Sequence, residues 1–441
     1  MITLQNVTNA FVKLDHNGRY FLADPWISDG IFDGGWSPYP PIRDSASAVK
    51  NCDYLYISHI HEDHFDLAAL ERLPKNCTVI IPDLFPNHLI QQRVAKLGFT
   101  NILMLRPFTP IEIDKNLTVE VIPPLNAFGQ ELAYYGKDVE GVAIDTGLMI
   151  TWDGIRIILL NDNTPYDLSL FGDALKRFIG VDLLAFNYNG GADDYPVCFR
   201  NLTDQEKKNL CEHRDNVKLE ATKKLIRALK PKALMPYSSD FSVCGRQAKE
   251  FTKIRTSWHN SKQLVAEHLA KSEQLPSIAL FEADRLEIDE RGIRKIRGSA
   301  SYPDALERAE VLFNDQPNYV EKFPAVTDLA VLRKDARAAA DHMFRFMDKY
   351  NWSSSWILEL QIVEDPLPLY IDLQSREVSD KPASPSERKI LRCFVDARYL
   401  GALLRRLTHW NNAMISYNLE WERIPNEYDP FLYKALNFFH L

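Results

Sequence analysis

Three histidines and an aspartate lie within the short segment SHIHEDHFD, residues 58–66. His59 and His61 alternate, so in an extended segment both side chains lie on one face and can chelate one ion. Asp63 and His64 follow, and they can reach a second ion about 3–4 Å from the first. Imidazole and carboxylate ligands suit Zn, Fe or Mn better than Ca or Mg. We therefore expect one or two divalent ions here, Zn or Fe with Mn as a further candidate. The alternative is a polar surface loop.

Strands and a helix must position this cluster. The apolar run CDYLYIS leads into it and predicts a strand, at whose C-terminal end α/β folds place ligand-binding residues. The following DLAALERL predicts a helix with Asp66 as its N-cap. An Asn-Gly pair at 17–18 and an Asp-Gly pair at 153–154 each predict a hairpin between two strands.

The whole-chain composition is that of a globular protein of more than one domain. The chain has 441 residues, 46% of them hydrophobic, and a net charge of −8, which favours neither nucleic acid nor an anionic membrane as a partner. No apolar run reaches the ~20 residues that span a bilayer, and no signal peptide is visible. The six cysteines form no CxxC pair, so we expect reduced thiols and no Fe–S cluster. A cytoplasmic location is the expectation.

The order of predicted elements divides the chain in two. Residues 1–298 alternate short strands with helices, including a charged helix at 203–229 whose lysines, arginines and acids are expected to face solvent. Residues 299–325 are polar and irregular and are expected to be a linker. Residues 326–441 begin with a long amphipathic helix and predict a small α+β C-terminal domain.

The H-x-H-x-D-H spacing is the signature of the metallo-β-lactamase superfamily, which the chain resembles from residue 1 to about 295. The resemblance implies an α/β fold, an αββα sandwich with the metal site at one edge of two facing sheets. It also implies that Asp162, at the end of IRIILLNDN, bridges two metals. Asp145 in AIDTG is a weaker candidate, as a ligand or as a residue that orients an imidazole. A turn role is the alternative for both aspartates.

The chain departs from the superfamily pattern where further histidines are expected. Asn126 stands where another His usually follows a strand, and the late segment MPYSSDF, 235–241, contains no His. Three explanations stay open: a single metal, recruitment of Asp145, Asp240 or Tyr237, or a lost metal site.

A closer resemblance is to the non-Rieske part of the CMP-N-acetylneuraminate hydroxylase family and its bacterial relatives. That family uses a Rieske cluster to feed electrons to a hydroxylation, whereas this chain has no Cys-x-His and Cys-x-x-His pairs to hold one. The segments that carry the likeness are LADPWISDGIFDGGWSPYPP, ISHIHEDHFD, AIDTGLMITWDGIRIILLNDN, NYNGGADDYP, MPYSSDF and HWNNAMIS.

A second set of residues is predicted to contact substrate. Glycines let a backbone approach a ligand closely, and tyrosines can stack on a ring, although a plain loop and core packing are the alternatives. The HWNN group could close over the site from the second domain or form only a structural contact. The candidates are Asn126, Tyr188, Gly190, Gly191, Tyr237 and His409.

Three functions are compatible with these observations, and the sequence favours the first of them, with the other two as alternatives. The first is a metallo-hydrolase acting on a phosphoester, lactone or amide, with Asp63 orienting the water or serving as base. The second is an iron-dependent oxygenase that takes electrons from a separate donor protein. The third is a non-catalytic binding protein with a vestigial site. The expected ligand is a small molecule, with a nucleotide or sugar derivative as one candidate, since the resemblance does not carry the substrate across. The sequence leaves the oligomeric state open.

Overall fold

The computed structural model of the chain describes residues 1–39, 41–84, 88–124, 144–164, 167–189, 193–244, 247–255, 258–281, 283–298, 319–381 and 389–441. The strands, in chain order, are β1 (Ile2–Thr8), β2 (Phe11–His16), β3 (Arg19–Ala23), β4 (Trp36–Pro38), β5 (Tyr54–Tyr56), β6 (Thr78–Pro82), β7 (Asn101–Leu105), β8 (Ile111–Asp114), β9 (Leu117–Ile122), β10 (Gly147–Trp152), β11 (Ile155–Leu159), β12 (Leu183–Asn187), β13 (Ala233–Tyr237), β14 (Phe241–Val243), β15 (Arg285–Asp289), β16 (Gly292–Ile296), β17 (Trp356–Ile362), β18 (Leu369–Asp372), β19 (Glu377–Ser379), β20 (Lys389–Val395) and β21 (Glu420–Ile424).

Helices connect these strands, and six of the helices described begin at a side chain that accepts a hydrogen bond from the first turn. They are α1 (Ile31–Gly34), α2 (Ser45–Ala48), α3 (Leu67–Arg72), α4 (Leu89–Lys96), α5 (Leu175–Phe178), α6 (Asp204–Leu229), α7 (Ala248–Ile254), α8 (Trp258–Ser272), α9 (Leu329–Lys349), α10 (Ala397–Leu404), α11 (Trp410–Ile415) and α12 (Pro430–Leu436), with short 3₁₀ segments at Leu168–Ala174 and Tyr319–Lys322.

Two mixed sheets form the larger part of the fold. The first has the strand order β16-β15-β1-β2-β3-β5-β6-β7, and the second has the order β13-β12-β11-β10-β9-β8. Strands β3, β5, β6 and β7 run parallel, as do β11, β12 and β13. The chain therefore has the α/β class that the sequence predicts.

Alternating side chains separate the layers of this structure. Tyr54 and Tyr56 of β5 belong to an apolar cluster shared with Ile150, on the second sheet, while Leu55 faces a different cluster with Leu70 of α3. Strand β5 thus places one face between the sheets and the other under α3, as a strand buried on both sides requires. The outer face of the second sheet packs against α6 and α8. The order is helix, sheet, sheet, helix.

A third sheet lies near the C-terminus, with the order β19-β18-β17-β20-β21. The long amphipathic helix expected after residue 326 is α9, and Asp328 caps it by accepting hydrogen bonds from the amides of Ala330 and Val331. Residues 299–318 of the expected linker lie outside the described residues. The division at 298 and 326 stays a prediction, since one apolar cluster joins residues from both sides of it.

Several local predictions are confirmed. Asp66 is the N-cap of α3, and both hairpins form, β2 to β3 at 17–18 and β10 to β11 at 153–154. One prediction is wrong: the charges of α6 do not all face solvent, because Lys207 and Lys218 are buried against neighbouring elements. No helix in the described part of the chain is both long and apolar enough to cross a bilayer.

The C-terminal residues pack closely on the first 40 residues. A Cβ atom at Gly35 would overlap the backbone of Ser416, so only glycine permits this approach. The indole of Trp36 donates a hydrogen bond to the carbonyl of Ile415 at 2.9 Å. This contact brings α11 to the edge of the sheets at which the histidine cluster lies.

Candidate metal centre

Four strands end at one edge of the sandwich, and each delivers a polar residue there. Asp24 directly follows β3, and His59 comes three residues after the end of β5, which pairs in parallel with β3. On the facing sheet, Asp162 follows β11, and Asn187 ends the parallel strand β12. Because parallel strands present their carboxyl ends at the same edge, side chains distant in sequence meet at this point.

The first group of candidate ligands consists of His59, His61 and Asp145. His59 Nε2 lies 2.9 Å from His61 Nδ1 and 3.6 Å from Asp145 Oδ1. The three side chains offer ligand atoms that all lie within 4.8 Å of one another. His59 Nδ1 contacts Ser58 Oγ at 2.9 Å, so Nε2 is the nitrogen that faces the other two residues. Asp145 thus supplies a carboxylate near the position where a third imidazole was expected.

The second group consists of His59, His64 and Asp162, again within 4.8 Å of one another. His64 Nε2 lies 3.2 Å from Asp162 Oδ2 and 3.1 Å from Asp63 Oδ2. All six residues that the sequence singled out as candidate metal ligands therefore converge at this edge, and His59 is common to both groups.

The electrostatics of these residues call for a cation. Burial lowers the pKa of His59 well below its usual value. Burial would do the same to His64, but Asp63, Asp162 and Asp24 raise its pKa well above the usual value. Burial by itself would raise the pKa of the Asp162 carboxyl, yet the neighbouring His64 lowers that pKa below its usual value. Several carboxylates around one imidazole favour a positive charge among them, which the protonated ring of His64 supplies without metal and which a divalent ion bound to this donor set would replace.

Asp24 is a buried residue that sequence reasoning missed as part of the site. It accepts hydrogen bonds from Ser58 N at 2.7 Å and Ser58 Oγ at 2.6 Å, and its Oδ2 lies 2.9 Å from His64 Nδ1. A carboxylate on Nδ1 leaves Nε2 as the unprotonated nitrogen that can bind a metal. The Asp-Pro-Trp segment next to a predicted strand end was the available signal.

Other polar side chains orient the aspartates. Asn9 Nδ2 donates to Asp63 Oδ2 at 2.8 Å. Asn187 Nδ2 and Ser238 Oγ both donate to Asp162 Oδ1, at 3.1 and 2.8 Å. With one oxygen held by two donors, the Oδ2 of Asp162 is the oxygen that faces the histidines.

Tyr237 supports the turn that carries Asp162. The phenol is fully buried, accepts a hydrogen bond from Asn161 N at 2.7 Å and donates to Asn161 Oδ1 at 2.5 Å. Asn161 has a φ of 53°, a left-handed conformation that asparagine tolerates better than most residues. Tyr237 contacts this turn and does not line the cavity described below.

The C-terminal residues reach the cluster through α11. Asn411 Nδ2 lies 3.2 Å from His61 Nε2, and Asn412 Nδ2 donates to Glu62 Oε1 at 2.8 Å. Glu62 also accepts a hydrogen bond from the amide of Phe32 at 2.6 Å. His409 is the N-cap residue of α11, without a side-chain capping bond. Asn411 of the HWNN segment thus contacts the candidate ligand His61, and Asn412 contacts Glu62 beside it.

A cavity of about 170 Å³ adjoins Asp63 and Asp162. Burial lowers the pKa of Lys218 to about 8, against the carboxylates of Asp162 and Asp145, which raise it. Lys218 therefore remains mostly protonated at neutral pH. The cavity is lined by Asn9, Trp36, Asp63, Asp162, Asn187, Asn189, Lys218, Ser238, Ser239 and Phe241.

The remaining predicted substrate contacts lie elsewhere or outside the described residues. Tyr188 is buried, and its hydroxyl donates to Asp240 Oδ1 at 2.9 Å. Asn126, Gly190 and Gly191 lie outside the described residues. Their substrate roles stay predictions.

Curated proteins with significant similarity carry oxygenase and iron–sulfur names. The chain is 24% identical over 250 residues to cytidine monophosphate-N-acetylneuraminic acid hydroxylase of Danio rerio, covering 55% of this chain and 38% of that protein. It is 28% identical over 197 residues to a Mycolicibacterium smegmatis protein described as a Rieske 2Fe-2S iron–sulfur protein, covering 44% of this chain and 35% of that protein. The chain spans less than half the length of these relatives. No protein-family model matches it.

Solved structures with a related fold include both hydroxylases and hydrolases. CmlA, a diiron β-hydroxylase from Streptomyces venezuelae, is 16% identical with a TM-score of 0.43, covering 67% of this chain and 54% of that chain. Isothiocyanate hydrolase from Delia radicum gut bacteria is 14% identical with a TM-score of 0.43, covering 65% of this chain and 98% of that chain. The chain resembles metallo-β-lactamase-fold proteins. At this level of similarity, the likeness does not distinguish oxygenation from hydrolysis.

Proposed function

We propose that this chain is a metal-dependent enzyme that acts on a small molecule, and that its ligand set favours iron-dependent oxygenation. The observation that carries the proposal is the group of His59, His61 and Asp145, two imidazoles and one carboxylate whose ligand atoms all lie within 4.8 Å of one another. Two histidines and one carboxylate with open positions are the ligand set of non-haem iron oxygenases. The hydroxylases among the chain's relatives support the same choice.

The chain's own residues would divide the work as follows. His59, His61 and Asp145 would hold one ion, and Asp63, His64 and Asp162 would hold a second. Asp24 keeps His64 in the tautomer with an unprotonated Nε2, and Asn187 and Ser238 orient Asp162. A bound ion would supply Lewis acidity, and iron would in addition allow reduction of O2. The electrons would come from a separate donor protein, since the chain has no cysteine and histidine pairs for a Rieske cluster.

Hydrolysis is the second candidate, and the position of Asp63 favours it. Asp63 lines the cavity, and Asn9 holds one of its oxygens by a 2.8 Å hydrogen bond. A carboxylate fixed at the wall of a polar cavity can orient water and accept its proton. Phosphoesters, lactones and amides are the substrate classes in this case.

The metal content of the protein separates the two candidates. The full chain is expressed in medium supplied with both iron and zinc, and bound metal is counted by mass spectrometry. Oxygenation predicts one or two Fe per chain and O2 consumption with a chemical reductant. Stoichiometric Zn with turnover of a phosphodiester or lactone would instead establish the hydrolase.

A substitution at the centre tests whether the cluster is the site at all. We expect His61→Ala to lower metal content and activity together while the chain still folds. His16→Ala is the matched control, since His16 is also buried, with Nε2 2.6 Å from Asp153 Oδ2, but lies away from the cluster. Full activity in His61→Ala, or metal-free protein with undiminished activity, would refute the metal-dependent function.

A further inference from the structure

Lys218 is a buried lysine to which the described residues offer no direct partner. It lies on α6 and is 8% exposed, although lysine is rarely buried unless it is paired. Among the described residues, no carboxylate oxygen lies within 4.0 Å of its Nζ and no acceptor bonds to it. Its side chain lines the cavity beside Asp63 and Asp162.

Other buried lysines in the described part of the chain are paired. Lys207, eleven residues earlier on the same helix, has its Nζ 3.1 Å from Glu250 Oε1. Lys262 Nζ lies 2.6 Å from Asp240 Oδ2 and 2.9 Å from Asn6 Oδ1. Withdrawing an ammonium group from water is costly unless another group solvates it. Lys218 lines the cavity, so its ammonium group is left to interact with whatever occupies the cavity, either water or a ligand that offers an acceptor.

The other cavity walls are already engaged in hydrogen bonds or are apolar. Asn187 and Ser238 donate to Asp162, and Ser239 Oγ donates to Asn187 Oδ1 at 2.8 Å. Trp36 and Phe241 stack with ring centroids 3.5 Å apart. These walls leave the ammonium group of Lys218 as the charged donor facing the cavity. A volume of about 170 Å³ holds a carboxylate or phosphate group, since a water occupies ≈ 30 Å³.

We propose that Lys218 binds an anionic oxygen group of the substrate, a carboxylate or a phosphate, in the cavity beside the metal centre. The inference rests on the proposed function, because metal ions must neutralise the negative charge of the four nearby carboxylates before an anion can bind there. Two divalent ions would balance Asp24, Asp63, Asp145 and Asp162, so that Lys218 would add a net positive charge to the pocket. The substrate would then present its anionic group to α6 and its reacting carbon or phosphorus to the ions.

Calorimetric titration of the metal-loaded full chain with inorganic phosphate, and separately with acetate, tests the proposal. We expect at least one anion to bind, and Lys218→Met to weaken that binding about tenfold or more, as loss of a charge-assisted hydrogen bond does. Lys218→Arg keeps the charge and should bind the anion nearly as well as the parent chain. Lys207→Met, which removes a lysine of similar burial from the same helix, should bind the anion unchanged. Metal content is measured for every variant and should not change.

Three outcomes would overturn the proposal: equal anion affinity in Lys218→Met, loss of metal from that variant, or no binding of either anion to the parent chain. Equal affinity would mean that the anion binds elsewhere, and metal loss would mean that Lys218 only balances the ligand charges. Failure of the proposed function is a different result. In that case the parent chain would hold no metal, and the metal measurement would reveal this whatever the anion titration gives.

Discussion

Asp24→Asn should weaken metal binding without removing any ligand. Asp24 is fully buried, and its carboxylate is surrounded by Ser58 and His64. One oxygen accepts from Ser58 N, and the other contacts Ser58 Oγ and His64 Nδ1. The substitution keeps the size of the side chain but replaces one acceptor by an NH2 donor.

The structure allows the magnitude to be worked out. If the introduced amide keeps the bond from Ser58 N, its NH2 group faces His64 and donates to Nδ1. The ring proton then moves to Nε2, the nitrogen that faces Asp63 and Asp162. Metal binding must reverse this tautomer and lose a buried hydrogen bond, which costs about 1–3 kcal/mol. We expect a 10- to 100-fold loss of metal affinity, the usual effect of removing a carboxylate behind a ligating histidine.

Competition against a chromogenic chelator measures this loss directly. Asp284→Asn is the matched control: Asp284 is also a buried carboxylate that accepts from backbone amides, those of Phe281 and Gly298, but it directly precedes β15, three strands away from β3 in the first sheet. Both variants should lose some stability, and only Asp24→Asn should lose metal affinity. Unchanged affinity in Asp24→Asn would refute the assignment of His64 Nε2 as a ligand atom.

Three further predictions follow from the same structure. Asn411→Asp should raise metal affinity about tenfold, because a carboxylate accepts a hydrogen bond from His61 Nε2, whereas the Nδ2 amide group of Asn411 that lies 3.2 Å from it is a donor; equal affinities in Asn411→Asp and Asn411→Leu, by chelator competition, would contradict this. Burial raises the pKa of Asp33 from 3.8 to about 6, so the stability that it contributes is fully present below pH 3.8 and is lost as the pH rises through 6. Denaturation of metal-free protein should therefore show a fall of about 3 kcal/mol in the free energy of unfolding over that range. Asp33→Asn should not show this fall. Chelation should lower the melting temperature reversibly, because metal at 100 Kd contributes about 2.7 kcal/mol to the free energy of unfolding. The circular dichroism spectrum should not change, because the apolar clusters between the layers do not involve the ligands.

The sequence predicted the part of the site whose residues lie close together along the chain. The H-x-H-x-D-H run and the apolar strand before it place three histidines and Asp63 at one sheet edge without knowledge of any other element. Asp162 was predicted to be a ligand because a resemblance implies that role, and Asp145 was a weaker candidate; the structure brings both carboxylates to the histidines.

The remaining residues depend on pairings that no local pattern records. Asn187 and Ser238 reach Asp162 because β12 pairs in parallel with β11 and β13, which fixes where each strand ends. Lys218 lies on a helix whose interleaved charges predict a solvated surface, and only packing against the second sheet distinguishes it from its neighbours. Asn411 is 350 residues from His61, and the histidine of the same segment was the more obvious candidate.

The close approach of Gly35 to Ser416 makes the candidate metal centre depend on Gly35, a residue that contributes no side chain to it. A methyl group at position 35 would push α11 outward, and Asn411 and Asn412 would move away from His61 and Glu62 with it. Chain cleavage before α9 would have the same effect, since it removes both asparagines. The metal centre therefore belongs to the whole chain, and a shortened N-terminal fragment, even if it folded, would be a poor surrogate for studying its chemistry.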